Sequence, residues 1–196
     1  MRHASEPEAP VELHADFLDP TAPERLLAAA AEALGHVDVL VVNHARSSDV
    51  GLRDVDADEL DRTLAVNVRA SVLLVQAFYA RHDGRAGGRV VLMTSGQHRG
   101  AMPGEIAYVA SKGALHQLTA TLAAEVADKR ITVNCVDPGA TDTGWASPEV
   151  LDRVLAREPF GRWGEPDDAA RLIAFLCSDD GRWITGQVIT SSGGGP

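Results

Sequence analysis

The chain has 196 residues, 45% of them hydrophobic, enough for one domain with an ample core. Its 18 basic and 28 acidic residues leave a net charge of −10, which opposes general affinity for nucleic acid or anionic membranes and points to a small-molecule partner. No apolar run approaches the ~18 residues of a bilayer span and residues 1–10 lack the apolar stretch of a secretory signal, so a cytoplasmic location and no membrane partner are expected.

Residues 1–10 are polar and proline-containing and read as a flexible lead-in, with residues 11–196 forming a single domain. Val11-Glu-Leu-His-Ala-Asp16-Phe17 alternates toward a strand. Thr21-Ala-Pro-Glu24 has the form of a capping box, and Pro23 is tolerated in the first turn of a helix running to Leu34, with Gly35 as its C-cap. Val37-Asp-Val-Leu-Val-Val42 is a nearly continuous apolar strand of the kind buried on both faces, so strand, helix and strand imply a parallel βαβ unit. Asn43-His44-Ala45-Arg46 follows it. Asp56-Ala-Asp-Glu59 caps a helix predicted to reach about Arg81, with Asn67 a polar residue inside it.

Asp83-Gly84, Gly87 and Gly88 turn the chain into Arg89-Val-Val-Leu-Met93, a strand that leaves Ser95 at its carboxyl end, where open α/β sheets bind ligands. Pro103 interrupts any helix start after Gly96 and Gly100, so this stretch reads as an active-site loop rather than a dinucleotide fingerprint. From Tyr108 the apolar residues recur at helical spacing and place Tyr108 and Lys112 four apart on one face. Ile131-Thr-Val-Asn-Cys-Val136 is another buried strand, ended by Pro138 and Gly139 and followed by the hydroxyls of Thr141 and Thr143. Residues 145–157 form a candidate lid with Trp145 as a pocket wall. A capped helix ends near Ser178, and a last strand follows Gly186. Cys135 and Cys177 lack metal or redox spacing and read as two reduced core thiols; no metal site is expected.

A phenol titrates near pH ~10, so acid/base work at neutral pH needs a shift of roughly three units, or ~4 kcal/mol. Lys112 supplies charge of the right sign, and the Ser95 hydroxyl is placed to hold a substrate oxygen beside the phenol. That set suits carbonyl/alcohol redox chemistry. A Ser/His/Asp hydrolase is excluded because Met93 stands where Gly-x-Ser-x-Gly needs its first glycine. No phosphate-binding Gly-x4-Gly-Lys-Ser/Thr and no His-Glu-x-x-His is present.

Ser95 thirteen residues before Tyr108-Val-Ala-Ser-Lys112 resembles the active site of the short-chain dehydrogenase/reductases, the family that includes the 3-oxoacyl-(acyl-carrier-protein) reductases. The resemblance runs from about Val11 to Gly195. It implies an α/β, Rossmann-like, doubly wound parallel sheet and an oxidoreductase moving a hydride between NAD or NADP and a small-molecule carbonyl or secondary alcohol. By resemblance Tyr108 is the catalytic acid/base, Lys112 lowers its pKa and holds the nicotinamide ribose, Ser95 orients the carbonyl, and Asn67 holds a helix kink and a proton-relay water. Asn43 and Ala45 would line the adenosine end of the cofactor, where Arg46 replaces the family's glycine. Pro138, Gly139 and Thr141 would belong to the loop at the nicotinamide carboxamide, with Thr143 near the diphosphate. Two readings stand for Asp16: the family's adenine-contacting acid, or an ordinary turn acid before a helix.

The family opens with two strand–helix units that include a Thr-Gly-x-x-x-Gly-x-Gly pyrophosphate loop, and neither is found before Val11, so the domain is expected to be N-terminally truncated and to bind cofactor weakly. The alternative function is a catalytically silent fold serving binding or assembly. Small residues Ala110, Gly113, Ala114 and Ala120, with Leu73 and Leu74, resemble the family's dimer seam and imply a homodimer or homotetramer. With two strands absent, residues 11–17 are expected to move inward and pair with the Val37 strand, giving a five-stranded sheet.

Overall fold

In the computed structural model, which describes residues 10–144 and 146–195, four parallel strands form one sheet in the order β1 (Val39–Val42), β2 (Arg89–Met93), β3 (Thr132–Asp137), β4 (Val188–Thr190). Every residue of β2 and β3 is buried, as continuous apolar runs between two helical layers require. Their side chains alternate between the two faces. Val90 and Leu92, with Val133 and Cys135, join Val42, Leu27, Leu74 and Phe78 in the larger core. Val91, Met93 and Val136 enter a second core with Leu176. Helices α1 (Ala22–Leu34), α3 (Ala70–Arg81) and α4 (Ile106–Glu125) cover the first face, and α6 (Pro166–Cys177) covers the second. The fold is thus α/β, doubly wound on a parallel sheet. Phe78 is 1% exposed, and its burial contributes about 1.5–3 kcal/mol.

Most helix punctuation follows the sequence. Asp56 caps α2 (Ala57–Leu64), its carboxylate accepting the Glu59 N–H at 2.8 Å. Glu165 and Asp168 make a reciprocal capping box on α6. Gly35 ends α1 at φ +74°, a conformation that favours glycine. The box expected at Thr21 and Glu24 does not form. Thr21 gives its N–H and its hydroxyl to the Asp19 carboxylate, both at 2.8 Å, and Glu24 pairs with Arg81 across to α3. A long-range bidentate partner outcompetes the local one.

The strand expected over residues 11–17 does not form. Residues 11–16 are exposed coil, and the segment closes in a turn where the Asp16 carboxylate accepts the Leu18 N–H at 2.9 Å. Glu12, His14 and Asp16 would each lose hydration in a sheet, and no packing compensates for that. β1 is therefore an edge strand, with Val39 and Val41 at 40% and 41% exposure, and the expectation of burial on both faces is corrected. It also starts at Val39 rather than Val37.

The helical run Ala57–Arg81 is the one stretch among the described residues with the length and apolarity of a membrane span. Here it supplies Leu74, Val75 and Phe78 to the core instead. Of the lead-in only Pro10 is described, and Trp145 lies outside the described residues. The segment after it forms α5 (Pro148–Leu155). Cys135 and Cys177 are free.

Candidate active site

The site lies at the carboxyl ends of β2 and β3, where two loops diverge around a cleft of about 540 Å³. Ser95 leaves β2 in extended conformation and faces Tyr108, which enters on the first turn of α4. Ser95 and Tyr108 line the cleft together, and the Ser95 hydroxyl acts to lower the titration of the phenol. Pro138, Gly139, Thr141 and Thr143 form the opposite wall, and Asp49, Met102 and Glu105 are among the other lining residues. Gly139 has φ +66°, and a Cβ there would lie 2.6 Å from the Ser192 Cβ, so the close approach to the C-terminal segment needs glycine.

Lys112 stands one turn behind Tyr108, 3% exposed, its Nζ 5.6 Å from the phenol ring centroid. The ammonium donates to the Met93 carbonyl at 3.0 Å. Thr94 ties the same turn down by donating to the Lys112 carbonyl at 3.0 Å. Burial dominates the titration of both groups. It raises the Tyr108 phenol above its ordinary value, against a lowering from the nearby Ser95 hydroxyl. It pulls Lys112 down to about 8. The expected lowering of the phenol by Lys112 is therefore not present in this state: the ammonium is turned to a backbone carbonyl, and the phenol stays protonated at neutral pH.

The Lys112 shift has a measurable consequence. Between pH ~8 and ~10.5 the unfolded chain keeps the lysine proton and the folded chain releases it, so this group makes stability rise with pH there. Below pH ~8 its buried charge is a full cost of up to about 3 kcal/mol. Lys112→Met is expected to raise the melting temperature at pH 7 and to remove that rising component. Parallel wild-type and variant melting curves across pH 7 to 10.5 would refute this.

Asn67 is fully buried at a break in the helix: residues Ala65–Arg69 form a π-helical turn between α2 and α3. Its Oδ1 accepts the Arg46 N–H at 2.7 Å, and its Nδ2 donates to the Arg46 carbonyl at 3.0 Å and to Ser111 Oγ at 2.9 Å. Ser111 in turn donates to the Tyr108 carbonyl at 2.8 Å. One amide thus links the loop after β1, the helix break and the Tyr108 turn. His44, kept neutral by burial, contacts the Val66 carbonyl within the break at 2.9 Å through Nε2. Phe17 stacks on His44 with ring centroids 4.2 Å apart, which holds the Asp16 turn at this edge of the sheet.

The structure brings Ser95, Tyr108 and Lys112 together with Pro138, Gly139, Thr141 and Thr143, and joins Asn67 to them through Ser111. Asn43 and Ala45 are exposed beyond β1, and Asp16 is an exposed turn acid. Sequence reasoning missed Ser111, although its place three residues after Tyr108 was a usable signal. It also missed the clamp between the two loops. Arg99 Nε donates to Asp137 Oδ2 at 2.9 Å, Asp137 Oδ1 accepts the Gly139 N–H at 3.0 Å, and Arg99 NH1 reaches the Gly195 carbonyl. An acid directly before Pro-Gly was the visible half of that pair.

The family model described as Enoyl-(Acyl carrier protein) reductase matches residues 2–195. The uncharacterized oxidoreductase YjdA of Bacillus subtilis is 45% identical over 166 residues, 84% of this chain and 66% of that protein. A short-chain dehydrogenase from Burkholderia cenocepacia, solved in complex with NADP, superposes with a TM-score of 0.86 at 39% identity, covering 93% of this chain and 75% of that one. A 7α-hydroxysteroid dehydrogenase complexed with NADH and 7-oxo glycochenodeoxycholic acid gives a TM-score of 0.87 at 29% identity, covering 93% and 73%. The chain spans about two thirds of the length of the first three curated relatives.

Proposed function

The chain belongs to the short-chain dehydrogenase/reductase family, and from that premise we propose that it is an NAD(P)-dependent oxidoreductase that interconverts a small-molecule carbonyl and a secondary alcohol. The observation that carries this reading is that Ser95 and Tyr108 line one cleft, with Lys112 one turn behind. The residues present fit a nicotinamide. Gly139, Thr141 and Thr143 share one wall of the cleft beside Tyr108, where backbone groups and hydroxyls can bind a carboxamide. When bound, the nicotinamide supplies or accepts the hydride.

The chain's own part is proton transfer and positioning. Ser95 donates to the carbonyl oxygen and holds it beside Tyr108. The phenol gives that oxygen its proton as the carbonyl carbon is reduced, and takes it back in the reverse direction. A phenol held protonated by burial suits reduction at neutral pH, while alcohol oxidation gains as pH rises. Lys112 holds the ribose and biases Tyr108 toward phenolate once its ammonium turns from Met93. Asn67 keeps the helix open and, through Ser111, sets the Tyr108 turn. Asn43, Ala45 and Asp16 belong to the adenosine end in this reading. The glycine-rich pyrophosphate loop is not among these 196 residues, so the chain by itself is expected to hold NAD(P)H weakly.

The test is carbonyl-dependent oxidation of NADPH and NADH over a panel of ketones and aldehydes. It is run on this chain and on a form extended with a glycine-rich strand–turn–helix segment. No turnover by the extended form on any carbonyl would favour the silent-fold alternative.

A cytoplasmic homodimer or homotetramer is part of the same proposal. Ala110, Gly113, Ala114 and Ala120 are at least partly exposed on α4, whereas Leu74 is 3% exposed and packs in the chain's own core, so only Leu73 remains from that helix. Light scattering at micromolar concentration is expected to give a multiple of 20.7 kDa, and a sharp monomer mass would count against it.

A further inference from the structure

At the amino-terminal ends of β1 and β2, the opposite end of the strands from the cleft, His36, Asp38 and His82 offer three ligand atoms that all lie within 4.8 Å of one another. His36 follows the Gly35 cap of α1, Asp38 immediately precedes β1, and His82 caps α3. Sequence spacing hides the group, because two of its members are separated from the third by more than forty residues.

His82 is 2% exposed, and its Nε2 has no hydrogen-bond partner. The His36 Nε2 is likewise buried without a hydrogen bond, although it sits 3.3 Å from the Asp38 carboxylate. Two buried imidazole nitrogens without partners, facing one carboxylate, are rare because each such atom forgoes its hydration. The surroundings are rigid. The Arg89 N–H holds the Asp38 carbonyl at 2.9 Å, Lys129 Nζ holds the His82 carbonyl at 2.8 Å, and Gly88 leaves space for the His82 ring where a Cβ would lie 2.9 Å from Nε2. Asp38 is half exposed, which gives an ion a way in.

We propose that His36, Asp38 and His82 form a binding site for a divalent transition-metal ion of the zinc class, tying the α1–β1 connection to the end of α3. Two imidazoles and a carboxylate are a borderline donor set that suits zinc, leaving a fourth position for water. Ligand atoms of a tetrahedral zinc, with bonds of about 2.0–2.2 Å, lie roughly 3.3–3.5 Å apart. The His36–Asp38 pair already has that spacing at 3.3 Å, and the widest separation in the set needs to close by up to about 1.5 Å. Coordination through His82 Nε2 places the ring proton on Nδ1, which now accepts the Gly84 N–H at 3.1 Å. That turn bond is given up on loading, in a loop whose Gly84 and Gly87 both hold positive φ and can readjust.

The Lys129 ammonium and the Arg85 guanidinium stand near, but the first is held by the carbonyls of Tyr79 and His82 and the second by Asp83. The role assigned is structural. The ion would brace the open edge of the sheet, far from Tyr108.

Zinc titrated by calorimetry into the metal-stripped 196-residue chain is expected to bind at one equivalent and to raise the melting temperature by about 5–10 °C at a hundredfold excess over Kd. Cobalt(II) in its place is expected to give the visible absorption of a four-coordinate nitrogen/oxygen site. His36→Gln should abolish the stoichiometric site, and Asp38→Asn, a half-exposed position with no risk to the core, should weaken it at least about tenfold. Binding at one equivalent that survives unchanged in both variants would place the ion on other histidines and overturn the assignment. Failure of the wild-type chain to bind zinc at micromolar concentration would do the same.

Discussion

Tyr108→Phe is expected to lower kcat for carbonyl reduction by about 10²–10⁴-fold, the contribution typical of a positioned acid. The substitution removes one oxygen and keeps the ring, so the packing of α4 and the fold should not change. What is lost is the proton that the carbonyl oxygen takes as its carbon is reduced, while Ser95 stays in place on the cleft wall. The variant should therefore bind NAD(P)H as the wild type does while failing in turnover, which separates chemistry from cofactor affinity. The comparison is made on the form extended with the glycine-rich segment, so that weak cofactor binding cannot mask the effect. A kcat within twofold of wild type would remove Tyr108 from the acid/base role.

Asp137→Ala is expected to destabilise the fold by about 3–5 kcal/mol, because truncating one partner of a buried ion pair strands the other. Asp137 is fully buried and accepts from Arg99 Nε and from the Gly139 N–H. Its removal leaves a guanidinium with 19% side-chain exposure facing an empty carboxylate position, and it frees the Gly139 turn. For a chain of this length that loss lowers the melting temperature by roughly 6–20 °C. Adding Arg99→Met should restore part of it, since the stranded charge is then gone. A melting temperature within 2 °C of wild type for the single variant would show that the pair contributes little. The same variant should loosen the Pro138–Thr143 wall of the cleft, which hydrogen exchange at Gly139 would report.

How far each feature was legible depended on whether its cause was local. β2 reads from Val90, Val91 and Leu92 because β-branched and apolar residues between two helical layers leave little choice of structure. The Asp56 cap and the glycine at position 35 read for the same reason: each satisfies backbone groups within its own turn. Thr21 and Glu24 failed because Arg81, 57 residues away from Glu24, offered its carboxylate a better partner. Residues 11–17 failed because strand alternation says nothing about whether a neighbour is present to pair with. β1 has one open face for the related reason that covering it is a matter of tertiary supply.

The sequence by itself determined the family, the α/β class and which residues are candidates for the site. Ser95, Tyr108 and Lys112 carry a hydroxyl, a phenol and an amine at spacings that only a strand end and a helix face bring together. Only the tertiary structure decided the electrostatics of that set. Whether Lys112 faces the phenol or the Met93 carbonyl, and whether burial raises or lowers the phenol, depends on what surrounds them and not on their separation along the chain. The same holds for Asn67, whose position was readable but whose bonds to Arg46 and Ser111 come from residues 21 and 44 positions away. It holds for Arg99 with Asp137, and for His36 and Asp38 with His82. Polar groups buried in pairs find their partners through space, and no periodicity along the chain records that choice.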